Sequence, residues 1–124
     1  MIAANTVIYV AEAHEPEVME APEPPSEVVW DKETIKKEIH RVFPDEPTMV
    51  DVAWCESRFD PDAFNPTNAS NDQGVFQISE YYHAEHYNRL GLDMFDVEDN
   101  IAFARILYDT HGLQPWSASR TCWR

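Results

Sequence analysis

Only three of the 124 residues are glycine, two are cysteine and nine are Lys or Arg, and no apolar run is long enough to span a bilayer. Three glycines do not make a glycine-rich loop that cradles phosphate. Cys55 and Cys122 are too far apart in the chain for a compact zinc motif. The nine basic residues face 23 acidic ones, a net charge of -14, which argues against sequence-independent binding to nucleic acid and against docking on anionic membranes. Six of the negative charges belong to Glu12, Glu15, Glu17, Glu20, Glu23 and Glu27, with no Lys or Arg among them, so the remainder carries about -8.

What is present fits one domain of ordinary size, with four Trp, six Phe and five Tyr to fill a modest core. The cysteines leave two readings open: free thiols, or a single disulfide formed in an oxidising compartment. As a disulfide, Cys55–Cys122 would close a loop of roughly 67 residues and stabilise the fold by about 4 kcal/mol.

Residues 1–28 stand apart in composition. Val7-Ile8-Tyr9-Val10 followed by Ala11-Glu12-Ala13 has the pattern of a signal remnant but lacks a basic start, and a disordered tail fits equally well. From His14 to Val28 the chain is an acidic Pro/Glu-rich linker, with Pro16, Pro22, Pro24 and Pro25 blocking regular structure. Residues 29–124 form the expected globular domain.

Within that domain, apolar spacing and capping residues predict four helices. Asp31 caps the first, to about Phe43, with Ile35 and Ile39 facing the core and Pro44 ending it. Thr48 and Asp51 form a capping box for a second helix over Met49–Ser57. Asp60-Pro61, Asn65-Pro66 and the run to Gln73 read as irregular loop. Ser79 caps a third helix, closed by Gly91, and Asp96 a fourth, from Val97 to about Thr110, closed by Gly112. The segment after Leu113 is expected to fold back over the body. The fold class is therefore mainly α, a small helical domain with a long irregular loop and room for a short hairpin after the second helix.

Three segments carry chemistry: Ala53-Trp54-Cys55-Glu56-Ser57-Arg58-Phe59-Asp60-Pro61, then Gly74-Val75-Phe76-Gln77-Ile78, then Glu98-Asp99-Asn100-Ile101. In this order and spacing the sequence resembles the lytic transglycosylase (SLT-type) branch of the lysozyme-like superfamily over about residues 48–112. The resemblance implies an α+β lysozyme-like fold and cleavage of the β-1,4 bond between N-acetylmuramic acid (MurNAc) and N-acetylglucosamine (GlcNAc) in peptidoglycan. It makes Glu56 the sole acid and base, places Gln77 in the sugar cleft, and gives Asn100 a supporting role. Asn65 falls where the family often has a Ser near the acid. The resemblance weakens beyond Pro115, where Trp116-Ser117-Ala118-Ser119 replaces a Tyr-Asn-Ala-Gly-type segment that supplies a Tyr to the site.

The residues support the role of Glu56 on separate grounds. A carboxyl at a helix C-terminus, between apolar Trp54 and Phe59, is disfavoured as an anion and should have a raised pKa, as a general acid requires. Substrate contacts are expected from Ser57, Asn65, Gln77, Asn100, Tyr81 and Trp116; Tyr81, Tyr82 and Trp116 could be stacking platforms for sugar rings, although core packing is the commoner fate of such side chains. Ser57 could instead cap its own helix and Asn100 could be an ordinary surface residue. Asp60 and Asp62 read as turn formers, leaving Asp72 as the candidate second carboxylate for a hydrolytic mechanism. His83, Glu85 and His86 lack the spacing of a zinc helix and read as a solvated face, so no metal and no cofactor is expected.

Three functions follow in order: a lytic transglycosylase, a hydrolytic muramidase using Asp72, and a non-catalytic peptidoglycan-binding module. Peptidoglycan glycan strands are the expected partner, without nucleic acid or a membrane span, and the chain is expected to act as a monomer. The expected location is secreted, in a bacterial cell envelope, or on a phage virion.

Overall fold

The structure, a computed structural model, describes residues 28–124. The signal-remnant and linker readings therefore lie almost wholly outside the described residues.

Helix α1 spans Lys32–Val42 and begins as its sequence dictates: the Asp31 carboxylate accepts the Thr34 N–H at 2.8 Å, and the Thr34 hydroxyl reaches back to the Asp31 backbone N–H. Ile35 and Ile39, four apart, point into the core. Helix α2 spans Thr48–Ser57 and buries Met49, Val52 and Ala53. The predicted capping box at its start does not form. Pro47 occupies the N-cap without a side-chain bond, and its missing N–H and fixed φ suit a helix start on their own. Arg58 ends α2 in the left-handed region at φ 58, and Phe59 follows at φ 60.

The loop after α2, where a short hairpin was expected, joins the following segment in a small antiparallel sheet in the order β1-β2-β3, with β1 Phe64–Asn65, β2 Asp72–Gln73 and β3 Ile78–Ser79. Phe64 pairs with Gln73, and Gln73 with Ile78. Two-residue strands are too short to show alternation in sequence. Helix α3, Glu80–Arg89, is capped by the Ser79 hydroxyl, which accepts the Tyr82 N–H at 3.2 Å. Helix α4, Val97–His111, is capped by Asp96 and closed at Gly112, φ 63.

After α4 the chain folds back over the body as expected, in helical form: a 3-10 helix over Gln114–Ser119 and a short helix α5, Arg120–Trp123, which packs on α2. Cys55 and Cys122 form a disulfide across this contact. The core contains Phe43, Val75, Phe76, Ile101, Phe103 and Trp116, all nearly inaccessible to solvent. This is a mainly α fold with a minor β element. None of its described helices is long and apolar enough to cross a membrane.

Candidate active site

Glu56 lies in the last turn of α2, one residue before the helix ends. It is partly buried and lines a cleft of about 650 Å³ together with Asp72, Gln77, Tyr82, His83 and Trp116. Burial is the largest influence on the carboxyl and raises its pKa above the ordinary value. The Ser119 hydroxyl opposes this by donating to Glu56 Oε2 at 2.6 Å, and the negative charge of Asp72 adds to the rise. A partly dehydrated carboxyl with an elevated pKa, at the wall of a cleft, has the properties of a general acid.

Behind the cleft lining, the Gly74–Ile78 segment is held by hydrogen bonds that the sequence does not advertise. The buried Ser57 hydroxyl donates to the Val75 carbonyl at 2.7 Å, with the Ala53 carbonyl at 3.2 Å as the alternative acceptor, tying the end of α2 to the Gly74–Ile78 segment. Asn100 is fully buried, and its amide accepts the Phe76 N–H at 2.9 Å. The same amide donates to the Gln73 and Met94 carbonyls. Trp116, 3% exposed, packs on Phe76 and gives its indole N–H to the Phe76 carbonyl at 3.0 Å.

These placements correct three expectations. Ser57 and Asn100 are not surface contacts for substrate, because their polar atoms are buried and already bonded to backbone. Trp116 forms a wall of the cleft rather than an open stacking platform, because its ring is packed into the core. Gln77 does line the cleft; its amide nitrogen donates to the Ala63 and Gly74 carbonyls at 3.1 Å each, which directs its carbonyl oxygen elsewhere. Its φ of 50 is backbone that most residues avoid.

Asn65 is exposed on β1 and accepts from the Thr67 N–H and hydroxyl, away from the cleft lining. Tyr81 is also outside that lining; its exposed neighbour Tyr82, whose ring meets Tyr81 edge-on, stands at the cleft instead. Asp72 shares the cleft with Glu56 and accepts from the Ser70 hydroxyl at 2.6 Å. Asp60 accepts the Asp62 N–H, the turn the sequence implied. His83 and His86 are not a solvated face: both rings pack edge-on against Phe103, and burial lowers the pKa of His83. Among the described residues, no cluster of three or more His, Cys, Asp or Glu is placed to hold a metal ion.

Ser119 was not evident as a functional residue, though a signal for it existed. It lies three residues before Cys122, and Cys122 is joined to Cys55, the neighbour of Glu56. A disulfide between those cysteines necessarily brings the Ser119 segment close to Glu56.

This fold and cleft define a lysozyme-like domain. Residues 43–118, more than half the chain, match the family model described as a lysozyme like domain, and the chain belongs to that family. No curated protein and no solved structure matches the chain. Membership of this family points to peptidoglycan glycosidase chemistry.

Proposed function

We propose that the domain of residues 29–124 is a lytic transglycosylase that cleaves the MurNAc–GlcNAc β-1,4 bond of peptidoglycan, with Glu56 as its only acid and base. The observation that carries this reading is the carboxyl of Glu56, its pKa raised by burial, on the wall of a cleft large enough for sugar rings. Protonated Glu56 gives its proton to the glycosidic oxygen as the bond from C1 of MurNAc breaks, so the GlcNAc side leaves as an alcohol. The resulting carboxylate then takes the proton of the muramyl C6 hydroxyl while that oxygen bonds to C1. The product is a 1,6-anhydro ring, no water is consumed, and Glu56 is again protonated.

Gln77 supports this chemistry from the opposite segment of the cleft, where its carbonyl oxygen can accept from a sugar hydroxyl or an N-acetyl N–H. Tyr82 supplies an exposed ring at the cleft edge, suited to the apolar face of a sugar. A disulfide belongs in an oxidising environment, and peptidoglycan lies outside the cytoplasm, so we place the domain in the secreted fraction, the cell envelope or a phage virion.

A second reading rests on one observation. Asp72 lines the same cleft as Glu56, as the second carboxylate of a hydrolytic muramidase would. Mass analysis of fragments released from purified peptidoglycan separates the readings. Anhydro-muramyl ends are expected; reducing muramyl ends would establish hydrolysis, and binding with no released fragments would leave only a glycan-binding module.

A further inference from the structure

Resting on the acid/base reading of Glu56, we propose that Ser119 is a positioning residue for that carboxyl, held in place by a C-terminal clamp made of Trp123 and the Cys55–Cys122 disulfide. The Ser119 hydroxyl has one proton and two acceptors in reach, Glu56 Oε2 at 2.6 Å and the Trp116 carbonyl at 3.2 Å. The Trp123 indole N–H donates to the hydroxyl oxygen at 3.1 Å and is shared with the Trp116 carbonyl at 3.1 Å. With its lone pair engaged by the indole, the hydroxyl turns its proton toward Glu56.

The consequence for Glu56 is that its two oxygens become inequivalent. Oε2 is occupied by the Ser119 proton, so a proton taken up by the carboxylate resides on Oε1. With that proton on Oε1, Oε2 is the carbonyl oxygen of the neutral carboxyl and still accepts the Ser119 hydroxyl. One hydroxyl thus accommodates both protonation states through which an acid/base residue must pass, while fixing its rotation.

The geometry is locked through the backbone. Cys55 immediately precedes Glu56 and Cys122 follows Ser119 by three residues, so the cross-link joins the two segments that carry the hydrogen bond. Helix α5, which bears Cys122 and Trp123, packs directly on α2. Ser119 itself is absent from the cleft lining, where Ser117 and Ala118 stand, so its effect on a sugar substrate passes through Glu56.

The test is Ser119→Ala, with Ser119→Thr to restore the hydroxyl and Trp123→Phe to keep a ring while removing the indole donor. The Glu56 carboxyl is followed by carbon-detected NMR titration, which distinguishes it from the other groups around it. Those groups are Asp72 on β2, His83 on α3 and His111 ending α4, all on the cleft, and Arg120, exposed on α5. Ser119→Ala should move the Glu56 titration to higher pH and shift the alkaline limb of the kcat profile the same way. It should also lower kcat about ten-fold, the loss expected for one hydrogen bond to a charged group, with KM unchanged. Ser119→Thr should restore both, and Trp123→Phe should shift both in the same direction by less.

An unmoved Glu56 titration in Ser119→Ala, or a raised KM with intact kcat, would overturn the proposal. If Ser119→Ala fails to fold, the Trp123→Phe titration decides, and an unmoved signal there overturns the proposal equally. The outcome is separable from that of the enzymatic reading. Full activity in Glu56→Gln would sink the acid/base role, while the titration would still report whether Ser119 engages the carboxyl.

Discussion

Asn100 Oδ1 accepts the Phe76 N–H at 2.9 Å while Asn100 Nδ2 donates to the Gln73 carbonyl at 2.9 Å, so one buried amide grips both ends of the Gln73–Phe76 segment from α4. With Ser57 holding the neighbouring Val75 carbonyl from α2, this segment is suspended between the helix that carries Glu56 and the helix that supports the site. Gly74 lies inside it at φ 76, and a Cβ there would collide with the Met94 carbonyl oxygen and the Asn100 amide.

Asn100→Ala would strand the buried Phe76 N–H and Met94 carbonyl and release the half-buried Gln73 carbonyl. The expected loss of unfolding free energy is about 2–4 kcal/mol. Gly74→Ala should be at least as damaging, through both the clash and the left-handed backbone. Urea denaturation checks both, and a loss below about 1 kcal/mol for Asn100→Ala would show that the amide's bonds are replaceable.

The disulfide spans 67 residues of sequence, and removing it with the pair Cys55→Ala and Cys122→Ala should lower unfolding free energy by about 4 kcal/mol. Reductant should lower the melting temperature of the unaltered protein in the same direction. A melting temperature insensitive to reductant would contradict this.

Glu56 gives a pH dependence with a definite sign. Its folded pKa lies above the ordinary value near 4.5, so in the window between them the folded protein holds a proton that the unfolded chain has released. Stability arising from this group is therefore lost as pH rises through the window. Relative to Glu56→Gln, which titrates nothing at this position, the unaltered protein should become progressively less stable as pH rises from the ordinary value near 4.5 through the folded pKa. Denaturation of both proteins at the two ends of that range checks the sign, and a relative gain for the unaltered protein with rising pH would reverse it.

Asp72 raises the Glu56 pKa by like charge, so Asp72→Asn should shift the alkaline limb of activity to lower pH while anhydro products persist. A transglycosylase should retain activity within about ten-fold of the original, since the reacting proton stays on Glu56. Loss of all turnover would favour the hydrolytic reading.

How much of this was legible in the sequence depends on where the decisive signal lay. Asp31, Ser79 and Asp96 announced their helices because a cap acts on residues two or three positions away, and each makes the expected bond. The start of α2 was read within one residue for the wrong reason, since Pro47 rather than a side-chain box begins it. A short hairpin after α2 was expected, but the bounds and register of the three two-residue strands were hidden because their pairing is settled by contacts across the loop, not by local pattern. At the site, the structure places Glu56, Gln77 and Asp72 around one cleft. The burial of Ser57 and Asn100 was not visible, because polar atoms on a helix read as exposed until tertiary partners are known, whereas core packing of Trp116 is the ordinary fate of such a ring. Ser119 reached Glu56 through a bond between distant cysteines, and local sequence does not encode such proximity.

Digestion of purified peptidoglycan by Glu56→Gln is the most direct test of the account. Removing the proton-carrying group should reduce fragment release by at least about 10²-fold, with the circular dichroism and thermal melt of a folded domain preserved. Fragment release at the original rate by the folded variant would contradict it.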